Sequence, residues 1–276
     1  MTLERIECAN DARAAAYRDL RDGELLRARG LFVAEGRLVV RRAMEDRRYR
    51  IESVLVNEAA LRDLTPSIEQ LDRSIPILVC RAHDLADLAG FDIHRGCLAL
   101  VRRPAETAVA ALIEKAATIV VLDAVANADN VGGVFRNAAA FGADGVVLSP
   151  TTCDPLYRKA VRTSMAAVLR VPFARARDDE WPAALDAMRR RGFTVVALTP
   201  REPSAPLDAF AARPRPPRIA LVVGAEGAGI TPSVEANADA RVRIPIGGGV
   251  DSLNLAVAVG IALYELRGHD DQRRAR

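Results

Sequence analysis

The stretch RIALVVGAEGAG, residues 218–229, places an apolar run directly before a loop with three glycines and one carboxylate, that of Glu226. Short, continuously apolar runs are typical of strands that helices cover on both faces, as in a parallel sheet. Glycines at the end of a strand indicate that another group comes close to the backbone there. The stretch therefore predicts a ligand loop at the end of a buried parallel strand.

Helix and strand patterns alternate along the chain on both sides of this loop, which is typical of an α/β fold. The 276 residues suffice for two domains of ordinary size. After Arg102-Arg103-Pro104, the sequence changes from a polar stretch to a new apolar pattern. We therefore predict a small N-terminal α/β domain at residues 1–105 and a second domain, which contains the parallel sheet, at residues 106–276.

Two further polar loops follow predicted strands of the second domain, NADNVGGVFRNA (127–138) and PIGGGVDSLN (245–254). Open α/β sheets bind their ligands at such strand ends. The first strand and helix of this domain lack the G-x-G-x-x-G fingerprint, and no Gly-Lys-Ser/Thr of a Walker A motif occurs. An ordinary Rossmann dehydrogenase is therefore disfavoured, and a generic Rossmann-type nucleotide-binding enzyme remains as an alternative.

Arginine dominates the basic residues. The net charge is +3, and 37 of the 39 basic residues are arginine, whose planar guanidinium suits phosphates and stacks on bases. A compositional bias of the source genome explains the same numbers, so local clustering is more informative. Residues 37–50 carry six arginines against two acids. We predict nucleic-acid contacts from this segment and from a basic helix at 154–168, through Arg37, Arg41, Arg42, Arg158, Lys159 and Arg162.

No apolar stretch approaches the roughly 20 residues of a membrane span, and the first 20 residues are charged throughout. We therefore expect a soluble, cytoplasmic protein without a membrane contact. The pairs Cys80/His83 and His94/Cys97 have the spacing of zinc half-sites. Both cysteines also lie in apolar runs, where cysteine behaves as a small buried hydrophobe. We expect no metal, with the zinc site as the alternative.

The last helical pattern is apolar on nearly every side from Leu253 to Leu263, which predicts burial in a core or in a subunit interface. On the helix that begins at Val131, Arg136 points away from the apolar face and lies between the small residues Ala139 and Ala140. This arrangement suggests that a ligand or another surface covers Arg136, and a solvated arginine is the alternative. Together the two helices predict a homodimer.

The three polar loops together resemble the SpoU/TrmH branch of the SPOUT methyltransferases, which methylate ribose 2′-hydroxyls in RNA. The first family motif is an Asn followed by Gly and then Arg-x-Ala, the second is Gly-x-Glu-Gly-x-Gly, and the third is Ile-Pro followed by Ser-Leu-Asn. They occur here in order and at family spacing, within NVGGVFRNA, GAEGAG and IPIGGGVDSLNLAVA. The matching residues are Asn130, Gly132, Arg136, Ala138, Gly224, Glu226, Gly227, Gly229, Ile244, Pro245, Ser252, Leu253 and Asn254.

The resemblance implies a C-terminal domain tied into a trefoil knot and an N-terminal substrate-binding domain similar to ribosomal-protein modules. It implies S-adenosylmethionine as the cofactor and structured RNA, rRNA or tRNA, as the substrate. Glycines of the second loop would let the backbone reach the adenosine. A SPOUT protein that binds RNA or cofactor without catalysis remains as an alternative. The residues implied to line the cofactor are Thr199, Gly224, Ile244 and Leu253.

The resemblance assigns the catalytic site to Arg136, Asn130, Glu226, Ser252 and Asn254. Arginine is a poor general base, because its pKa lies above about 12. We expect Arg136 to act instead as a phosphate clamp that positions the ribose, while the proton leaves to a phosphate oxygen or to water.

Simpler roles remain open for three of these residues. Glu226 can bond to loop amides, Ser252 can cap the last helix, and Asn254 can bond a neighbouring loop. The sequence also departs from the family pattern at Asn137, where many members have Thr, and at Asp251, where many have Glu. Neither departure removes a catalytic residue type.

Overall fold

The structure is a computed structural model that describes residues 2–6, 11–18, 22–89, 96–248 and 252–267. The chain divides into two compact units. Unit 1 comprises Met1–Ala105 and Pro155–Leu169, and unit 2 comprises Glu106–Asp154 and Arg170–Arg276. Unit 1 thus contains the segment Pro155–Leu169 in addition to the residues expected for the N-terminal domain.

Unit 1 is built on a five-stranded mixed sheet of strand order β1-β4-β3-β5-β2. Strands β1, β4 and β3 run parallel to one another, and β5 is antiparallel to both β3 and β2. The strands are Thr2–Arg5 (β1), Leu31–Glu35 (β2), Ile51–Asn57 (β3), Pro76–Cys80 (β4) and Cys97–Arg102 (β5). The helices, numbered along the chain, are Asp22–Arg29 (α1), Arg37–Glu45 (α2), Glu58–Ile68 (α3), Ala82–Ala89 (α4) and Arg158–Thr163 (α7).

The two cysteines of the proposed zinc site lie in this sheet and cannot share a metal ion. Cys80 pairs with Asn57 of β3, whereas Cys97 pairs with Val56. Because successive residues of a strand point to opposite faces, the two thiols lie on opposite faces of the sheet and two strands apart. Burial raises the pKa of Cys80 to about 11 and that of Cys97 to about 12. The zinc alternative is therefore wrong for this pair, and His94 lies outside the described residues.

Unit 2 is built on a seven-stranded, wholly parallel sheet of strand order β10-β12-β9-β11-β6-β7-β8. Its strands are Thr118–Asp123 (β6), Gly145–Leu148 (β7), Phe173–Arg175 (β8), Phe193–Leu198 (β9), Ala205–Pro206 (β10), Arg218–Gly224 (β11) and Ala240–Arg243 (β12). Its helices are Val109–Lys115 (α5), Ala128–Phe141 (α6), Ala184–Arg190 (α8), Leu207–Ala211 (α9), Pro232–Ala236 (α10) and Leu255–Leu266 (α11).

The central strands of unit 2 confirm the predicted parallel sheet. Residues Ile219–Gly224 of β11 and Ile119–Asp123 of β6 are all buried, as expected of strands covered on both faces. Strand β11 lies between β6 and β9, although it follows both in the chain. The carboxyl ends of β9, β11 and β12 therefore lie side by side at one edge of the sheet.

Helices α6 and α11 pack closely against each other. A Cβ atom added at Gly133 would lie 2.5 Å from the Cβ of Ala256, so the approach requires glycine at this position. The Asn137 side chain donates a hydrogen bond to the Ala256 carbonyl at 2.5 Å. This side chain, one of the two departures from the family pattern, thus ties the two helices together.

The sequence predicted that helix α11 is buried on all sides, in a core or in a subunit interface. Within one chain, one face of α11 stays exposed. Val257, Ile261 and Tyr264 are 51%, 37% and 49% exposed. Their spacing of three and four residues places them on one face of the helix. The remaining burial would have to come from a second surface.

The basic helix expected at 154–168 is shorter than predicted, because α7 ends at Thr163. Met165 and Ala166 follow with positive φ angles of 52° and 65°, which end a right-handed helix. The Met165 carbonyl accepts a hydrogen bond from Arg42 at 2.7 Å, and the Leu169 carbonyl accepts bonds from Arg48 and Tyr49 at 2.8 and 3.0 Å. Hydrogen bonds from α2 and from the residues that follow it therefore hold residues 165–169 in this conformation.

Candidate cofactor and catalytic site

A cavity of about 500 Å³ opens at the carboxyl ends of β9, β11 and β12. This position is where open parallel sheets bind their ligands. Its walls come from the segments that follow the three strands and from the start of α11. The lining residues are Leu198, Thr199, Pro200, Arg201, Val223, Gly224, Ala225, Glu226, Gly227, Gly229, Ile230, Arg243, Ile244, Ile246, Ser252, Leu253, Asn254, Leu255 and Ala258.

The cavity brings together the four residues that the family resemblance assigned to the cofactor. Thr199 follows β9, Gly224 ends β11, Ile244 follows β12, and Leu253 precedes α11. Glu226, Ser252 and Asn254, predicted as catalytic, also line the cavity. The sequence prediction missed Arg201 and Arg243. Each is a single arginine just beyond or at the end of a strand, a weak signal in a chain this rich in arginine.

The glycine loop, residues 224–231, forms the wall that follows β11. The Gly229 N–H donates to the Ala225 carbonyl at 2.8 Å, and Gly227 and Gly229 have φ angles of 78° and 70°. These left-handed angles favour glycine. A Cβ atom at Gly224 would lie 2.1–2.2 Å from backbone atoms of Gly229 and Ile230. The loop thus requires glycine at 224 for its own closure, and not only for the approach of a ligand as expected from the sequence.

A buried carboxylate closes the far end of the glycine loop. Asp123, the last residue of β6, is 1% exposed and accepts the Thr231 N–H at 2.7 Å. Since β6 and β11 are neighbours, this bond fixes the exit of the loop to the centre of the sheet.

Asn254 connects the three predicted loops. Its Nδ2 group donates to Asn130 Oδ1 at 2.9 Å and to Glu226 Oε1 at 3.3 Å. Its Oδ1 accepts the N–H groups of Ala256 and Val257 at 3.0 and 3.3 Å, so Asn254 is the N-cap of α11. The cap proposed for Ser252 is therefore wrong, and the bond from Asn254 to a neighbouring loop is present.

Asn130 is nearly inaccessible to solvent, and its Nδ2 group has no hydrogen-bond partner among the described residues. A buried N–H group without a partner costs free energy, so such a group indicates a missing acceptor. Its position beside Asn254 and Glu226 makes it a candidate donor to a bound molecule.

Arg136 does not line the cavity of its own chain. It lies on α6 and is exposed, and its side chain makes no hydrogen bond or ion pair with another described residue. The structure therefore does not bring Arg136 together with the other predicted catalytic residues within one protomer.

The arginines predicted to bind nucleic acid all belong to unit 1, on α2 and α7. Asp63 pairs with Arg41 at 3.1 Å and with Arg37 at 3.9 Å. The buried carboxylate of Glu35 lies 3.8 Å from Arg158 and 3.6 Å from Arg162. Acidic groups therefore offset part of the charge that the sequence pattern suggested.

The residues around the cavity fit S-adenosylmethionine. A volume of about 500 Å³ lies within the usual 300–1,000 Å³ of small-molecule sites. Apolar side chains such as Leu198, Ile244 and Leu253 can cover an adenosine, while main-chain groups of the glycine loop can bond its polar atoms. The Glu226 carboxylate supplies a negative charge at the rim, which suits a sulfonium cation.

We predict that Asn254→Ser and Asn254→Ala differ in stability. Serine keeps an N-cap oxygen, whereas alanine removes it, so the free energy of unfolding should be lower in the alanine variant by about 1 kcal/mol. Both variants lose the long amide that reaches Asn130. Urea unfolding of the two proteins measures the difference, and equal stabilities would contradict the capping role.

Known proteins are similar to this chain in sequence. Residues 117–264 match the model of the SpoU rRNA Methylase family. The chain is 39% identical over 93% of its length to an uncharacterized tRNA/rRNA methyltransferase of Mycobacterium bovis, of which it covers 88%. It is 26% identical over 96% of its length to the 23S rRNA (guanosine(2553)-2′-O)-methyltransferase RlmP of Bacillus subtilis, of which it covers 100%.

A solved structure shows the same fold. The AdoMet-bound rRNA methyltransferase of Sinorhizobium meliloti superposes with a TM-score of 0.80 at 24% identity, covering 96% of this chain and 97% of that one. Among the residues that the structure describes, no helix is long and apolar enough to cross a membrane. The match of a family model to more than half of the sequence, together with the Mycobacterium relative, shows that the chain belongs to the SpoU rRNA methylase family.

Proposed function

We propose that the protein methylates a ribose 2′-hydroxyl of structured RNA, rRNA or tRNA, in the cytoplasm and with S-adenosylmethionine as the methyl donor. The observation that carries the proposal is the cavity at the ends of β9, β11 and β12, with the linked side chains of Asn130, Asn254 and Glu226 beside it. RlmP, which matches the chain over nearly its whole length, is named as a 2′-O-methyltransferase.

The proposed chemistry asks the protein mainly to position two reactants. S-adenosylmethionine supplies a methyl carbon that is already electrophilic and a neutral leaving group, so no metal is required. Glu226 and Asn254 hold the mouth of the cavity in one conformation through their mutual hydrogen bond. Ser252 is exposed at the same wall, where its hydroxyl can bond to the ribose or to a phosphate.

Arg136 completes the proposed site as a phosphate clamp from a second copy of the chain. It is exposed on α6, it lies outside its own cavity, and the exposed alanines Ala139 and Ala140 leave space around it. The uncovered apolar face of α11, formed by Val257, Ile261 and Tyr264, supports the homodimer. In this arrangement each site takes Arg136 from the partner subunit.

Two structural expectations belong to the same proposal. The trefoil knot predicted from the family resemblance is supported by the position of β11, which lies between β6 and β9 although both precede it in the chain. The N-terminal domain is proposed to bind RNA. In its support, Arg42 donates to a backbone carbonyl rather than to an acid, so this bond leaves the charge available to phosphates.

The methylated atom can be identified from the behaviour of the product RNA in alkali. Alkali cleaves RNA through the free 2′-hydroxyl, so a 2′-O-methylated nucleotide stays joined to its neighbour. We expect radioactive label from S-adenosylmethionine to be recovered in alkali-resistant dinucleotides of rRNA or tRNA. Label in mononucleotides would mean base methylation and would overturn the proposal. The exposed Arg177, changed to glutamine, provides an active control protein.

The Arg136→Lys variant distinguishes two possible roles of Arg136, a phosphate clamp and a general base. Lysine keeps the charge and has the lower pKa, but it cannot present two parallel donors to a phosphate. The clamp therefore predicts normal cofactor binding and a fall in turnover on the order of a hundredfold. Single-turnover methylation across pH measures this. Turnover close to that of the unmodified protein, or merely shifted in pH, would favour the general base.

The proposed dimer predicts twice the mass of one chain in light scattering at micromolar concentration. Replacing Val257 and Ile261 by lysine should produce monomers, because the apolar face would then carry two charges into the interface. The control variant, Ala59→Lys, places a lysine on an exposed position of α3 in unit 1. A monomer mass for the unmodified protein would contradict both the dimer and the shared site.

A further inference from the structure

Arg201 contacts the glycine loop at residues other than the one that Asn254 bonds. Its Nη2 group donates to the Ala228 carbonyl, and its Nη1 group donates to the Ile230 carbonyl at 3.1 Å. Arg201 also lines the cavity. One guanidinium thus bonds two carbonyls of the loop that the cofactor is proposed to contact.

Arg201 is itself fixed at two points outside the loop. Its Nη1 group lies 3.0 Å from the carboxylate of Glu235, a buried residue of α10. Its backbone N–H donates to Thr199 Oγ1 at 3.2 Å. The side chain therefore connects the glycine loop to α10 and to the segment that follows β9, which forms another wall of the cavity.

The glycine loop needs such support because its own sequence does not determine one conformation. Glycine loses more conformational freedom on ordering than any other residue, and two glycines of the loop adopt left-handed angles. Asn254 holds the loop at Glu226, and Asp123 holds it at Thr231. Between these two points, the described contacts from outside the loop to the carbonyls of Ala228 and Ile230 come from Arg201.

We propose that Arg201 is a positioning residue that holds the glycine loop in its cofactor-binding conformation. The proposal rests on the S-adenosylmethionine-dependent function proposed above. A planar guanidinium can reach two carbonyls and a carboxylate at once, whereas the ammonium of lysine is a single point charge. Arg201→Lys should therefore keep part of the support that Arg201 gives to the glycine loop, and Arg201→Gln should keep little of it.

The test combines cofactor affinity with the mobility of the loop. Calorimetric titration with S-adenosylmethionine should show affinity about tenfold lower for Arg201→Gln and an intermediate value for Arg201→Lys. Amide hydrogen exchange of residues 225–231, measured without any ligand, should be faster in the same order. With the RNA substrate, KM for the cofactor should rise while kcat at saturating cofactor falls less. The matched control is Arg177→Gln, which removes an exposed arginine with two acidic partners in the same unit.

Loss of Arg201 leaves Glu235 buried without its cation, so a second variant guards against unfolding. Arg201→Gln combined with Glu235→Gln removes both charges and should still bind the cofactor weakly. Unchanged affinity and unchanged exchange in both variants would overturn the positioning role. If the unmodified protein bound no S-adenosylmethionine, the proposed function would fail. Faster amide exchange of the glycine loop in Arg201→Gln would then still show that Arg201 stabilises the loop.

Discussion

The Asn254 side chain is the interaction on which the candidate site depends. One amide caps α11 through its oxygen and bonds both Asn130 and Glu226 through its nitrogen. These bonds join the start of α6, the glycine loop and the start of α11, which are far apart in the sequence. Since both ends of the amide are engaged, its orientation is fixed. The same residue therefore supports a helix and sets the geometry of the cavity mouth.

The parallel sheet explains why this interaction is possible. Strand β11 runs between β6 and β9, so the loops that follow these strands emerge at one edge. Asp123 at the end of β6 and Arg201 beyond β9 then reach the glycine loop from its two neighbours. Charged groups at both sides hold a loop whose glycines would otherwise allow many conformations.

Much of the site was predictable from sequence, because continuously apolar runs indicate parallel strands and loops that follow them share an edge. The family resemblance, however, was needed to assign Thr199, Gly224, Ile244 and Leu253 to the cofactor, and the structure brings all four to one cavity. The sequence left Ser252 open as the cap of the last helix, whereas Asn254 is the cap; both residue types cap helices, and the two positions differ by two residues. Arg201 was missed because its role depends on carbonyls that come close only in the folded chain.

Ion pairs between separate segments offset part of the charge that the sequence pattern suggested. Six arginines between residues 37 and 50 suggested a basic surface, but Asp63 pairs with two of them. Arg158 and Arg162 lie beside the buried Glu35, a residue more than 120 positions away in the sequence. Local composition cannot show such pairs, because they form between distant segments. The ion pairs also explain how the segment Pro155–Leu169 belongs to unit 1.

Hydrogen exchange of the unmodified protein, with and without S-adenosylmethionine, tests whether the cavity beside Asn254 binds this compound. We expect protection of residues 198–201, 224–231, 243–246 and 252–258, the segments that form the walls of the cavity. Protection confined to unit 1, or absent from the glycine loop at saturating S-adenosylmethionine, would contradict such binding.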